Sequence, residues 1–273
     1  MIEQIKSFDK YNSFIESFYD DINYSDPHLL MKKEKNEDIN DWPKRSDNIC
    51  FSVQIDCETK GLFVFSIIPE EKYMEMLMGL SRDPETVEEM LCYLVNNYKG
   101  FQIDFVFNPK WEIFKNGLKK HGAIFDIEQE RMTYSHKQLD INTEGIVAFS
   151  EKYREQYIKM HTVDRYWTAE KTIEAKNKFN IFLAVENNKV VGYIDVSNCY
   201  KENEPYDLFV LPEYRGKGYG KKLLVKALKD NEPNDMMLLV DIDNSIAINL
   251  YKSVGFIKKE RFNMLTASIE LKY

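Results

Sequence analysis

Histidine and cysteine are scarce in this chain, with four of each among 273 residues. Cys50, Cys57, Cys92 and Cys199 form no C-x-x-C pair, and His28, His121, His136 and His161 show no metal-ligand spacing. That scarcity argues against a zinc or redox centre, so no metal is expected. Positive charge is also in deficit: 37 basic residues face 45 acidic ones, for a net charge of −8. A chain so balanced is not built to bind nucleic acid or an anionic membrane. No apolar run approaches the roughly 20 residues of a membrane helix. No G-x-x-x-x-G-K-[ST] motif occurs, which disfavours nucleotide binding of the P-loop kind. The first residues lack the pattern of a secretory leader, so the expected compartment is the cytoplasm, with reduced thiols.

What the chain does have is ordinary globular material, 44% hydrophobic and 30% charged. Its length suits two domains. Residues 1–45 are helical in pattern (Ile5, Phe8, Phe14, Ile15, Phe18), and a charged stretch at 32–41 reads as a solvated loop closed by Trp42-Pro43. Strands are expected at 49–55 and 61–68, helices at 69–80 and 83–97, a strand at 101–107, a helix at 110–120 and a strand at 123–134. A second cycle begins after 140: a strand at 146–149, helices at 151–161 and 168–177, then a hairpin of 180–185 and 190–196 over Glu186-Asn187-Asn188-Lys189. Strand 206–211, helix 219–228, strand 236–242, helix 245–254 and a strand or hairpin at 256–271 complete it. The two halves end alike, with Gly122 answering Gly255, and Ile68-Pro69-Glu70 echoes Leu211-Pro212-Glu213. The fold class expected is α/β, a duplicated domain divided as 1–140 and 141–273.

The densest signal is Arg215-Gly216-Lys217-Gly218-Tyr219-Gly220, set between an apolar run and a helical one. Three glycines in five residues leave backbone N–H groups uncovered by any Cβ, and a helix N-terminus behind them adds a positive dipole end. With Arg215, Lys217, Lys221 and Lys222 close by, this segment suits a pyrophosphate.

Two motifs together resemble the GCN5-related N-acetyltransferase (GNAT) family. The first, R-x-x-G-x-G/A, is met by Arg215, Gly218 and Gly220. The second, N-x-x-A-x-x-x-Y-x-x-x-G-F, is met by Asn244, Ala247, Tyr251, Gly255 and Phe256. The resemblance covers 144–271, and 1–140 only as an echo of the fold. It implies a mixed, mostly antiparallel sheet flanked by helices, with two parallel strands splayed apart. Acetyl-CoA would lie in the gap as cosubstrate, its arm bonded to the backbone of Phe209, Val210 and Leu211. The Val210 amide would stabilise an oxyanion, and amides of Lys217 through Lys221, with Arg215 and Gly216, would hold the pyrophosphate. Asn244 would contact the arm, with helix capping as its structural alternative. Ala247 leaves room for the ligand. Tyr251 would be the general acid for the departing thiolate, or else a core aromatic.

An amine acceptor must lose a proton before it attacks. Asp207 is the base expected first, with Glu204 or a water relay behind it, and a structural hydrogen bond is the alternative role for Asp207. His161, Asp164, Tyr166 and Trp167 are expected to build the acceptor pocket, although Tyr166 and Trp167 equally suit closing the domain. The first half keeps neither motif: Glu71-Lys72-Tyr73-Met74-Glu75-Met76 holds no glycine, Trp111 falls opposite Asn244, and Leu118 opposite Tyr251. It reads as a degenerate copy, with Met74, Met76 and Met78 as helical core positions. The function expected is N-acetyl transfer from acetyl-CoA to a primary amine of a small molecule or peptide, by a monomer or homodimer. The alternative is a CoA-binding sensor without turnover.

Overall fold

The computed structural model describes residues 1–161 and 167–272. The first half contributes β1 (Ile2–Gln4), α1 (Asn12–Glu16), α2 (Pro27–Glu34), β2 (Asn48–Ile55), β3 (Glu58–Ile68), β4 (Tyr73–Ser81), α3 (Pro84–Asn97), β5 (Gln102–Phe107), α4 (Glu112–Lys120), β6 (Ile124–Phe125) and β7 (Gln129–Tyr134). The second contributes β8 (Ile146–Ala148), α5 (Arg154–Met160), α6 (Ala169–Glu174), β9 (Phe179–Glu186), β10 (Lys189–Ser197), β11 (Glu202–Asn203), β12 (Pro205–Val210), α7 (Tyr219–Asn231), β13 (Asp235–Asp241), α8 (Ser245–Ser253), β14 (Phe256–Lys258) and β15 (Leu265–Glu270).

These elements gather into two compact units, Met1–Glu130 with Glu260–Tyr273, and Arg131–Lys259. The units divide at Glu130/Arg131 and Lys259/Glu260, because the two halves of the sequence exchange strands. The last strand of the chain, β15, lies between β5 and β6 in the sheet β1-β2-β3-β4-β5-β15-β6. Conversely β7 lies between β13 and β14 in the sheet β11-β13-β7-β14. Each half completes its partner's sheet.

In the first unit α3 and α4 cover one face of the sheet and the segment around α1 and α2 covers the other. The expected helix over 69–80 is instead a short turn followed by β4. Tyr73 to Leu80 alternates rather than following a 3.6-residue period, and alternation is the signal of a strand. A register shift between Val64 and Phe65 opposite β4 then turns the methionines to different faces. Met74 and Met76 pack toward α3, while Met78 packs with Phe18 and Leu80 on the α1 side.

The second unit is built around two sheets. The antiparallel sheet β12-β10-β9-β8 ends in β12, and the sheet β11-β13-β7-β14 begins with β11. Only the two residues of β11 pair in parallel with β13. Beyond them β12 and β13 belong to separate sheets, which is the splay the sequence resemblance implies. Among the described residues no helix is long and apolar enough to cross a membrane.

Candidate functional site: an edge strand, a glycine cradle and a buried acid network

β12 carries apolar Leu208 and Val210 toward the core under α7, and Asp207 and Phe209 toward α5. It pairs with β10 as Tyr193↔Phe209 and Gly192↔Val210, with a register shift beside Tyr206. The Leu211 amide donates to Val191 O at 3.0 Å, so that amide is spent on β10 rather than offered to a ligand. By the alternation of antiparallel bonding, the amides of Leu208 and Val210 face the other edge, which no strand among the described residues covers. Gly192 sets the approach. A Cβ there would stand 2.7 Å from the Phe209 carbonyl oxygen, and only glycine lets the two strands come this close.

The loop after β12 makes one 3₁₀ turn over Pro212–Tyr214 and enters α7 through Gly216 and Gly218. Their φ values are +75° and +83°, which side-chain-bearing residues adopt at a cost, and an added Cβ at either position would meet nothing within 4 Å. Lys222 donates the first intrahelical bond, to Gly218 O, so the amides of residues 219–221 lie ahead of it and emerge at the helix end. These amides stand at the positive end of a 13-residue helix, beside glycines that no neighbouring atom crowds. Arg215 differs from expectation. Its Nε donates to Val210 O at 3.0 Å and its guanidinium lies 5.7 Å from the Phe209 ring, so it ties the loop to the strand. Tyr219 is anchored by its hydroxyl on Glu186, and Lys217 lies over the Tyr214 ring.

α8 forms the opposite wall. It buries no residue fully, and Ala247, Ile248, Leu250 and Tyr251 sit half-exposed above the core. The apolar face of this helix therefore stays half-open. Asn244 caps the helix, its side chain accepting from the Ala247 amide at 3.1 Å, so its structural role is realised. Tyr251 packs edge-on against Phe256, with ring centroids 5.8 Å apart.

On the α5 side the structure gathers a buried polar network that sequence reasoning only half found. Tyr157 donates to both oxygens of Asp195 at 2.9 Å, His161 Nε2 meets Asp195 Oδ2 at 2.9 Å, and Tyr193 donates to Asp207 Oδ2 at 2.6 Å. His161 Nε2 is 4.0 Å from Asp207 Oδ2. The His161 side chain is only 1% exposed, so it supports the site from beneath instead of lining an acceptor pocket. Burial pushes the Asp195 carboxyl above its ordinary value, against the pull of the His161 and Tyr157 hydrogen bonds. Asp195 had a visible signal, an acid within the apolar run of β10. Tyr157 and Tyr193 had none beyond their type. Trp167 closes the domain edge, packing on Phe179 at 4.9 Å, while Asp164 and Tyr166 lie outside the described residues.

Glu204 stands where the chain passes from β11 to β12, at the apex of the splay. Its amide donates to Ser197 Oγ at 2.7 Å and its carbonyl accepts from the Ser197 amide. Burial pushes its carboxyl up to about 7, with Arg131 opposing the rise and Glu202 adding to it.

In the first unit the matching edge is filled by the chain itself. Counted from the irregularity beside Leu77, Gly79 stands where Leu208 does and Ser81 where Val210 does. The Gly79 amide donates to Asp26 Oδ2 at 3.1 Å, His28 Nδ1 lies 3.2 Å from Leu77 O, and Trp111 Nε1 donates to Ser81 O at 3.0 Å. The strand that leads into the counterpart of α7 is β4, so the echo of Leu211-Pro212-Glu213 at Ile68-Pro69-Glu70 is misplaced. The true counterpart is Arg82-Asp83, without glycine, and the Asp83 side chain caps α3.

Splayed strands, an outward-facing edge amide and glycines at a helix start thus come together in one α/β unit. Residues 146–256, which lie within the second unit, match the acetyltransferase (GNAT) family. The chain is 32% identical over 100 residues to an uncharacterized N-acetyltransferase of Methanocaldococcus jannaschii, a match covering 33% of this chain and 44% of that protein. It thus spans less than half the length of that relative. An N-alpha-acetyltransferase of Sulfurisphaera tokodaii is 29% identical over 153 residues, covering 50% of this chain and 83% of its own. A tandem GNAT protein from the clavulanic acid biosynthesis pathway superposes with a TM-score of 0.52 at 10% identity, over 100% of this chain and 99% of the other. The fold of the whole chain is therefore the tandem GNAT fold.

Proposed function

We propose that the second unit transfers the acetyl group of acetyl-CoA to a primary amine of a small molecule or peptide, by direct attack within a ternary complex. The observation that carries this reading is the alignment of the outward-facing Val210 amide with the open cradle at Gly216 and Gly218. A pyrophosphate at the amides of residues 217–221 would leave the pantetheine arm running along the β12 edge, an added strand in all but name. The Val210 N–H would then meet the thioester oxygen where negative charge develops on attack.

The acceptor arrives as an ammonium and must give up a proton. Glu204 takes that role in our reading. A carboxyl that titrates near 7 is matched to the task at neutral pH, whereas Asp207, the residue the sequence suggested first, is tied to Tyr193 beside His161 and Asp195. Asp207 and its network then hold β12 and the acceptor side in place. Tyr251 protonates the departing thiolate. The name of the Sulfurisphaera relative favours an α-amine among the candidate acceptors. The first unit, its edge taken by Asp26, His28 and Trp111 and its helix capped by Asp83, binds no acetyl-CoA.

Calorimetric titration with acetyl-CoA, followed by thiol release over a panel of amines and N-terminal peptides, tests the proposal. One site per chain with turnover is the expected result. Two sites would overturn the reading of the first unit, and no binding would overturn the whole.

A further inference from the structure

Arg131 is the most deeply buried cation described in the second unit, 1% exposed. It sits on β7, the strand supplied by the first half of the chain, and its guanidinium reaches over the intervening β13 to Glu202 of β11. The contact is bidentate on the carboxylate side, Nη2 to Oε1 at 2.9 Å and to Oε2 at 2.7 Å. Glu204 follows two residues after Glu202, as the single residue between β11 and β12. Two acids and one arginine thus converge at the apex of the splay, just before the strand that presents the Val210 amide. Placing a guanidinium at such depth costs several kcal/mol of solvation, and a hydrophobic residue of similar volume is often at least as stabilising as a buried ion pair. The arrangement therefore calls for a reason other than stability.

We infer that Arg131 is a positioning residue for the proton-accepting carboxylate: clamped on Glu202, it fixes the charge that Glu204 meets in the wedge. The inference rests on the reading of Glu204 as the base. The groups that act on Glu204 are Arg131 from β7, Glu202 from β11 and Tyr200 from the turn before β11. Arg131 favours the carboxylate, and its influence exceeds the opposing one of Glu202. Without it, burial and Glu202 act unopposed, and Glu204 stays protonated to higher pH, unable to accept the proton of the acceptor ammonium.

The experiment uses the full chain, labelled with glutamate carrying ¹³C at the side-chain carboxyl, in wild type, R131K, R131M and the R131M/E202Q pair. E204Q identifies the Glu204 resonance by its disappearance. In R131M the Glu204 midpoint should rise by about one pH unit or more, the range expected on removing an opposite charge at short distance. In R131K, which keeps the charge, it should stay close to wild type. The double variant leaves no orphaned charge and serves if R131M does not fold. Because the Arg131 influence is the larger, its midpoint should also rise. The acidic limb of kcat/KM should move with the NMR midpoint in each variant. An unchanged midpoint in R131M or in the double variant would overturn the inference and leave Arg131 a structural residue. A midpoint that moves while the kcat/KM profile stays fixed would uphold the coupling and remove Glu204 as the base.

Discussion

Gly218→Asp separates ligand binding from folding at the cradle. Gly218 is the N-cap of α7 at φ +83°, and an added Cβ would meet nothing within 4 Å. The cost to the fold is then the left-handed backbone alone, about 1 kcal/mol, and aspartate is among the residues that tolerate this region and cap helices well. The cost to a pyrophosphate is of another order. A carboxylate about 6 Å from a phosphate charge, at an effective dielectric near 20, adds about 2.8 kcal/mol of repulsion. At about 1.4 kcal/mol per decade, that weakens binding roughly 100-fold. Gly220→Ala is the control. Its Cβ would lie 3.4 Å from Leu250 Cδ2, an ordinary contact, and alanine gains up to about 1 kcal/mol over glycine within a helix. Calorimetry with acetyl-CoA and thermal melting should show G218D slightly less stable with binding weakened about 100-fold, and G220A at least as stable with binding kept. A G218D protein that binds acetyl-CoA like wild type would refute the cradle.

Further outcomes are expected elsewhere. Tyr251→Phe should lower kcat by about 100-fold with acetyl-CoA affinity intact; full activity would show that solvent protonates the thiolate. Gly192→Ala should impair turnover and stability together, because its Cβ would collide with the Phe209 carbonyl oxygen and push β12 off β10; unaltered melting and turnover would contradict the close approach. Burial pushes the Asp26 carboxyl up to about 7, above its unfolded value near 4, so the folded chain binds more protons between those pH values. Its contribution to stability is therefore complete below about 4 and is lost as pH rises toward 7. Wild type compared with Asp26→Asn by denaturant unfolding should show that decline, and a gain over the same window would reverse the sign of the argument. A fragment of residues 131–259 should fold and bind acetyl-CoA, while 141–273 should not, since it lacks β7.

The glycine loop and the face of α8 were legible because their requirements are local. A glycine that must take positive φ beside a helix start, and an Asn-x-x-Ala-x-x-x-Tyr spacing that sets one helix face, are written within a dozen residues. β4 is hard to see in the sequence because Pro69-Glu70 imitates a helix start ahead of the alternation from Tyr73 onward. What the sequence could not yield is whatever depends on distant partners. Arg131 meets Glu202 across 71 positions, and Asp26 meets the Gly79 amide across 53. His161 was found by type and assigned to a pocket, whereas the fold buries it against Asp195. The exchange of β7 and β15 was hidden for the same reason, since pattern reports that a strand exists and leaves open which sheet will take it.

The reciprocal placing of β7 and β15 has a consequence for synthesis. On the ribosome the first half emerges early, yet the gap between β5 and β6 waits for the final strand, whose Ser268 closes on Asp104 across 164 positions. Until then both flanking strands show unpaired edges, the surface on which chains aggregate. The usual order, in which an N-terminal domain finishes before the next begins, is closed to this protein. A nascent chain interrupted anywhere before Leu265–Glu270 leaves its first-made sheet open.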